Sequence, residues 1–422
     1  MEKSFQMIID KVLSKESFFW ENPCAVPFSR GVVSGNKKAG FKDILDASDR
    51  LERFKPFLSK AFPETIDGTI ESPLKPAPVF SEKVLKTKSP FYIKCDNLLQ
   101  AAGSVKARGG IYEILKHAED LALENNLITA DSDYGIFADK KMNDFFSRYH
   151  VAVGSTGNLG MSIGIISAKL GFRVTIHMSN DAKEWKKNKL RNLGVNVIEH
   201  KGSYAEAVEK GRASSANDPY SYFVDDENSM QLFLGYSTAA LRLEKQLAEA
   251  DIKVDRENPL YVYLPCGVGG APGGICFGLK HVFGENVKCY FAEPVNAPSV
   301  MLGFLEGKKI NFKDYGFSMK TDADGLAVDS PSELVLEICR DLTDGLYTVD
   351  DDQMYASLYQ LKKYENEKIE VSAAASLSGP LITGKIRAKG THIAWLTGGI
   401  FVPDYEYNAM LEKGKTAAEK YL

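Results

Sequence analysis

Short apolar runs alternate with longer segments of helical period over most of the chain. FYIKC precedes a helical pattern from Ser104, HVAV one from Gly157 to Leu170, and FRVTIHM the segment AKEWKKNKLRNLG. The series continues with VNVIEH and YAEAVEKGRASS, LYVYL and GICFGLKHVF, then VKCYFAE, and THIAWL close to the end. Strand and helix in alternation predict βαβ units and mostly parallel sheets. Residues 1 to about 65 read as helical and end in the proline-rich IESPLKPAPVF, an extended connector. Asp131 to Lys141, rich in Asp and Lys, reads as an exposed insertion, and Asp314 to Pro331 as a loop with little periodicity. The topology divides the chain into a large domain, 1–130 with 227–422, whose residues 1–70 form a helical extension, and a small domain, 131–226.

Composition narrows the class. The 422 residues allow two or three domains, and 44% hydrophobic with 26% charged residues are ordinary globular values. A net charge of -4 gives no electrostatic reason to expect a nucleic acid, and the run Lys183, Lys186, Lys187 and Lys189 reads as a solvated helix face. No run approaches the roughly 20 apolar residues of a bilayer span. The N-terminus, MEKSFQMIIDKVLSKESFFW, lacks the apolar core of a signal peptide. Six cysteines without a CxxC pair read as reduced thiols of a cytoplasmic protein, and six histidines show no zinc-ligand spacing. A small molecule, with no nucleic acid and no membrane, is the expected partner.

The chemistry concentrates where strands end. In open α/β sheets ligands bind outside the carboxyl ends of the strands. There the chain carries GSVKARGG after FYIKC, GSTGN after HVAV, GVGGAPGG after LYVYLPC and TGG after IAWL. In Gly267–Gly274, five glycines in eight residues let backbone N–H groups approach an anion, and a helix beginning near Gly273 adds its positive end. A bare turn is the plainer reading, but it needs fewer glycines than this. A dinucleotide motif fails at Pro272, where GxGxxG requires its third glycine. Ser155 or Thr156 alone could be a helix N-cap, whereas a substrate carboxylate would use the whole set Gly154 to Asn158. Lys106 could be a surface lysine. Its place between a glycine turn and Arg108, at a helix start, favours burial beside a cofactor, where a nearby cation and the helix end would lower its pKa for Schiff-base chemistry. With Thr397 as a partner for a ring nitrogen, these residues meet the requirements of pyridoxal phosphate.

From about Pro73 onward, AAGSVKARGGIYEIL, GSTGNLGMSIGI, LPCGVGGAPGGICFGLK, FAEP, ADGLAV and HIAWLTGG follow in one order. On these stretches the chain resembles the D-serine dehydratases (D-serine ammonia-lyases) of the fold-type II pyridoxal-phosphate enzymes, whose fold is like that of the tryptophan synthase β chain. The resemblance implies two open α/β domains with the cofactor in the cleft between them. It also implies α,β-elimination of D-serine to pyruvate and ammonia by a monomer or homodimer. Lys106 would be the Schiff-base lysine and the acid–base group at the α-carbon, with Ser155 and Thr156 also catalytic. Ser155, Thr156, Gly157 and Asn158 would receive the substrate carboxylate, and Asn158 the cofactor's 3′-oxygen. Gly267, Gly269, Gly270 and Ala271 would hold the phosphate, and Thr397 the ring nitrogen. Glu293 would either bind a monovalent cation, K+ or Na+, or serve as a strand-end carboxylate in a hydrogen-bond network. The chain departs from the family's usual pattern at Ala271, Asp329, Ser330, Val371 and Ile400. These departures leave open a dehydratase or racemase acting on L-serine, L-threonine or D-threonine, or a catalytically silent pyridoxal-phosphate or amino-acid binding protein.

Overall fold

β-branched and aromatic residues favour the strands, and those at the centres of the sheets are buried. In chain order the strands are β1 (Phe19–Glu21), β2 (Leu74–Pro76), β3 (Phe91–Lys94), β4 (His150–Gly154), β5 (Arg173–Ser179), β6 (Asn196–His200), β7 (Ser221–Val224), β8 (Leu260–Pro265), β9 (Val287–Pro294), β10 (Gly345–Val349) and β11 (Thr391–Trp395). The structure, a computed structural model, describes residues 2–28, 38–129, 131–155, 157–180, 182–201 and 204–420. Seven strands form one sheet in the order β1-β10-β9-β8-β11-β3-β2, and four form another in the order β6-β5-β4-β7. Pairing is parallel except at the two edges of the larger sheet, where β1 runs against β10 and β2 against β3. This is the mostly parallel α/β architecture that the alternation predicts. Central strands are buried on both faces, so β9 and β10 present near-continuous buried runs without a period of two.

Several local expectations change. The N-terminal region holds helices Glu2–Leu13, Phe41–Arg53 and Lys55–Ala61, but also β1, too short to show a pattern. The connector is extended only at β2; after it the chain coils through Pro78–Phe80 into a π-helical turn, Ser81–Leu85. The stretch Asp131–Lys141 is not an exposed insertion. Its centre is a 3₁₀ turn, Tyr134–Ala138, and both Tyr134 and Phe137 are buried with ring centroids 4.8 Å from that of Phe54. The Tyr134 hydroxyl donates to Glu119 at 2.6 Å. Two buried aromatics outweigh the flanking charges. The lysine run is also corrected: on helix Glu184–Asn192, Lys186 and Lys187 are 4% and 2% exposed. Lys186 pairs with Asp324 at 3.0 Å and Lys187 with Glu199 at 2.7 Å. Counter-charges offset the burial that periodicity alone would have left to solvent.

Helix Lys106–Glu124 carries the site lysine and packs on helices Asn158–Leu170 and Met230–Ser237. A Cβ at Gly109 would come within 2.5 Å of the Tyr236 ring, and one at Gly110 within 2.4 Å of Ser162 Oγ. The glycine pair after Arg108 therefore serves helix contact.

Candidate active site

The carboxyl ends of β3, β4, β8 and β11 all open on one cavity of about 950 Å³, counted with its open mouth. Lys106, Ser155, Gly157, Asn158, the 267–272 loop and Thr397 all line it. Thr156 lies outside the described residues.

Lys106 is the first residue of its helix, reached through a left-handed turn at Gly103 (φ 59°). The preceding Val105 N–H donates to the Thr397 carbonyl at 2.9 Å, and Ser104 bridges to Gly398, which ties the lysine to the end of β11. Lys106 Nζ donates to both oxygens of Asp226, at 3.0 and 3.1 Å, and lies 5.9 Å from the Tyr236 ring centroid. The charged group that it bonds is an anion, not the expected cation. Arg108, two residues on and therefore on another side of the helix, is buried and donates to Asp96 at 2.7 and 2.8 Å and to Glu71 at 3.1 Å. Lys94 Nζ joins this group through Glu71 at 2.7 Å, and Trp395 Nε1 through Asp96 at 2.7 Å. The cation next to Glu71 holds its carboxyl well below the usual carboxylate range despite burial, which alone would raise it, while burial lowers Lys94. Lys106 is thus set against an anion, with Arg108 committed elsewhere.

Ser155 Oγ accepts the N–H of Gly157 at 3.2 Å and of Gly160 at 2.9 Å, capping helix Asn158–Leu170 from outside it. A hydroxyl that accepts twice still has its own proton to donate into the cavity. Asn158 Nδ2 donates to Glu370 Oε1 at 2.8 Å. Gly398 passes between those two side chains; a Cβ there would stand 2.5 Å from Glu370 Oε1 and 3.1 Å from Asn158 Nδ2. Burial pushes the Glu370 carboxyl up, nearby Lys186 opposes the shift, and Asp324 adds to it.

The glycine loop turns at Gly269 (φ 102°), the N-cap of helix Gly270–Phe283, which starts three residues earlier than its sequence suggests. Gly267, Gly269 and Gly270 line the cavity. Gly273 and Gly274 do not: a Cβ at Gly274 would lie 2.4 Å from the Phe233 carbonyl oxygen. Five glycines therefore divide between a cradle and a helix–helix contact. Ala271 is helical, so its Cβ meets no left-handed strain. Both Glu293 oxygens accept backbone N–H groups, from Val300 at 2.7 Å and Met301 at 2.9 Å, at the start of helix Ser299–Glu306. Burial pushes this carboxyl up to about 8. Among the described residues no cluster of three or more His, Cys, Asp and Glu side chains could hold a metal ion.

Four residues around the cavity escaped sequence reasoning in this role: Asp226, Lys186, Asp324 and Glu370. Asp226 follows β7, a four-residue strand without clear alternation; finding β7 would have placed an acid at a fifth strand end. The donor set suits pyridoxal phosphate. An amine, an amide and a hydroxyl meet at the cavity beside a helix N-terminus, and a Cβ at Gly270 would stand in the cradle, 3.5 Å from the Asp226 carbonyl oxygen.

Residues 66–398 match the model of the family described as pyridoxal-phosphate dependent enzyme. The chain is 52% identical over 416 residues to a probable D-serine dehydratase of Carboxydothermus hydrogenoformans, covering 97% of this chain and 98% of that one. It is 47% identical to another of Geobacillus stearothermophilus, covering 96% and 94%. Among solved structures, Escherichia coli diaminopropionate ammonia lyase has a TM-score of 0.75 at 18% identity, covering 96% of this chain and 98% of that chain. Threonine deaminase isoform 2 of Solanum lycopersicum has a TM-score of 0.66 at 20% identity, covering 93% and 99%. No helix among the described residues is long and apolar enough to cross a membrane. With nearly four fifths of its length inside the family match and the cradle, amine and amide in place around one cavity, the chain belongs to the pyridoxal-phosphate dependent enzymes, with the fold of their type II members.

Proposed function

We propose that this enzyme eliminates water from D-serine and yields pyruvate and ammonia, with Lys106 as its central catalytic residue. The observation that carries the reading is the approach of the Lys106 amine, the Ser155–Asn158 loop and the glycine cradle to one cavity, in a chain about half identical to probable D-serine dehydratases. The E. coli diaminopropionate ammonia lyase has itself been crystallised with D-serine.

Pyridoxal phosphate, when bound, supplies the electron sink that acidifies the substrate's α-carbon. Lys106 would hold its aldehyde, with Asp226 orienting the amine, and would take the α-proton. The N–H groups of Gly267 to Ala271 and the helix end behind them would receive the phosphate. Asn158 would orient the ring oxygen. Thr397 would be the ring nitrogen's partner, a neutral hydroxyl that cannot hold a proton there by charge pairing. Ser155, Thr156 and Gly157 would receive the substrate carboxylate. Glu293 acts as a helix cap in this reading. The six free thiols, five of them buried, support a cytoplasmic setting.

The purified protein should show a visible absorbance band that borohydride removes and Lys106→Ala abolishes. Pyruvate release from D-serine should exceed that from L-serine or L-threonine by orders of magnitude. The reverse preference would assign the site to an L-amino acid instead.

A further inference from the structure

Helix Glu184–Asn192 belongs to the smaller sheet by sequence, lying between β5 and β6. Three lysines spaced three apart, Lys183 at its N-cap and Lys186 and Lys189 along it, share one helical face. Each meets a different segment that follows the larger sheet's strands. Lys183 Nζ pairs with Glu406 at 2.9 Å, in the first turn of helix Asp404–Ala418. Lys186 Nζ pairs with Asp324 at 3.0 Å, in the 3₁₀ turn Asp324–Leu326. Lys189 Nζ lies over the Phe401 ring, just past the Thr397–Gly399 loop. Lys187, off this face, instead bonds Glu199 and the Asn180 carbonyl within its own unit. Trp185, half-buried, packs against both large hydrophobic clusters, so apolar contact follows the same seam.

Lys186 is the innermost of the three. It lines the cavity with its side chain only 5% exposed, and its Nζ lies 3.4 Å from where a Cβ on Gly157 would stand. The turn it reaches backs onto the glycine cradle, since a Cβ at Gly267 would stand 3.0 Å from the Gly325 carbonyl oxygen. One ammonium therefore touches the loop after β4 and the wall behind the cradle.

We propose that Lys183, Lys186 and Lys189 form a clasp that docks this helix across the seam, and that Lys186 is a positioning residue holding the Ser155–Asn158 loop at the cavity. The consequence for the proposed reaction, on which only the kinetic part rests, follows from population arithmetic. When the docked form is a fraction of the free enzyme, apparent substrate affinity falls by that fraction, while saturating substrate restores docking. Loss of the clasp thus raises KM and spares kcat.

The test uses the holoenzyme of Lys183→Ala/Lys189→Ala, two residues outside the cavity. With D-serine, KM should rise about three- to tenfold with kcat within about twofold. Without substrate, amide hydrogen exchange across residues 182–192 should quicken by a similar factor, and salt raised to about 0.5 M should reproduce part of both effects in the unaltered enzyme. Lys186→Met should quicken exchange further, and Lys186→Arg should restore protection. A fall in kcat at unchanged KM, or exchange unaltered in the double variant, overturns the clasp. Exchange is read without any substrate, so a wrong substrate assignment would not disguise that result. Should the double variant not fold, Lys183→Gln with the salt series gives the same decision.

Discussion

At the cavity wall the Lys106 amine is held by both oxygens of one carboxylate, Asp226, and it must leave that contact before it can add to an aldehyde. Asp226→Asn removes the anion and keeps the shape. The apoprotein of this variant should therefore take up pyridoxal phosphate faster at pH 7, followed by growth of visible absorbance; an equal rate would show that the ion pair does not limit uptake. Glu113, farther along the Lys106 helix, accepts hydroxyl hydrogen bonds from Ser229 at 2.7 Å and Tyr222 at 2.8 Å. Burial pushes its carboxyl from 4.5 up to about 7 against those bonds. A raised folded pKa means the neutral form fits the fold, so its contribution is complete below the unfolded value and lost as pH rises through about 7. The expected change is about 3 kcal/mol between those limits. Glu113→Gln should remove that slope from urea-unfolding midpoints taken from pH 4.5 to 8. None of this was visible in sequence. Lys106 stood out by its glycine setting, but the identity of its neighbour depends on which side of a helix each residue faces, and Arg108 faces away from it.

Among the elements, strand-end loops were legible because glycine, serine and asparagine interrupt apolar runs at regular places. What those residues do was less so. Ser155 is both a cap and a cavity residue, and Ser155→Ala should cost about 1 kcal/mol of stability through the cap while lowering turnover far more than a one-cap loss explains, as a thermal melt beside a pyruvate assay would show. Gly274 looked like part of a cradle, yet it faces the Phe233 carbonyl. Gly274→Ala should destabilise by about 1–3 kcal/mol through overpacking and leave the phosphate affinity of the folded fraction unchanged, measured by cofactor titration. A glycine needed for an anion and one needed for a neighbouring helix look alike in a string of letters, because each is defined by what the missing Cβ would have met.

For the whole molecule, the α/β class and the convergence of strand ends came from alternation, while the edges did not. β1 is three residues of an N-terminal segment that pairs with β10, with Asn22 Nδ2 donating to the Arg340 and Thr343 carbonyls at 2.6 and 2.7 Å. Such contacts bridge more than 300 residues of chain and leave no local trace. Deleting residues 1–22 should expose β10 as an open edge, lower the melting temperature by several degrees and promote aggregation, readable by light scattering during a melt. The lysine run misread as solvated has the same cause: its partners, Glu406 and Asp324, are distant in sequence. Behind Lys106 the buried Asp96, Lys94 and Arg108, with the largely covered Glu71, balance two negative against two positive charges. No member can be neutralised alone without stranding an opposite charge in a medium that solvates it poorly, so in evolving relatives these four sites should drift only through paired exchanges, each lineage carrying either the full quartet or an uncharged replacement of it.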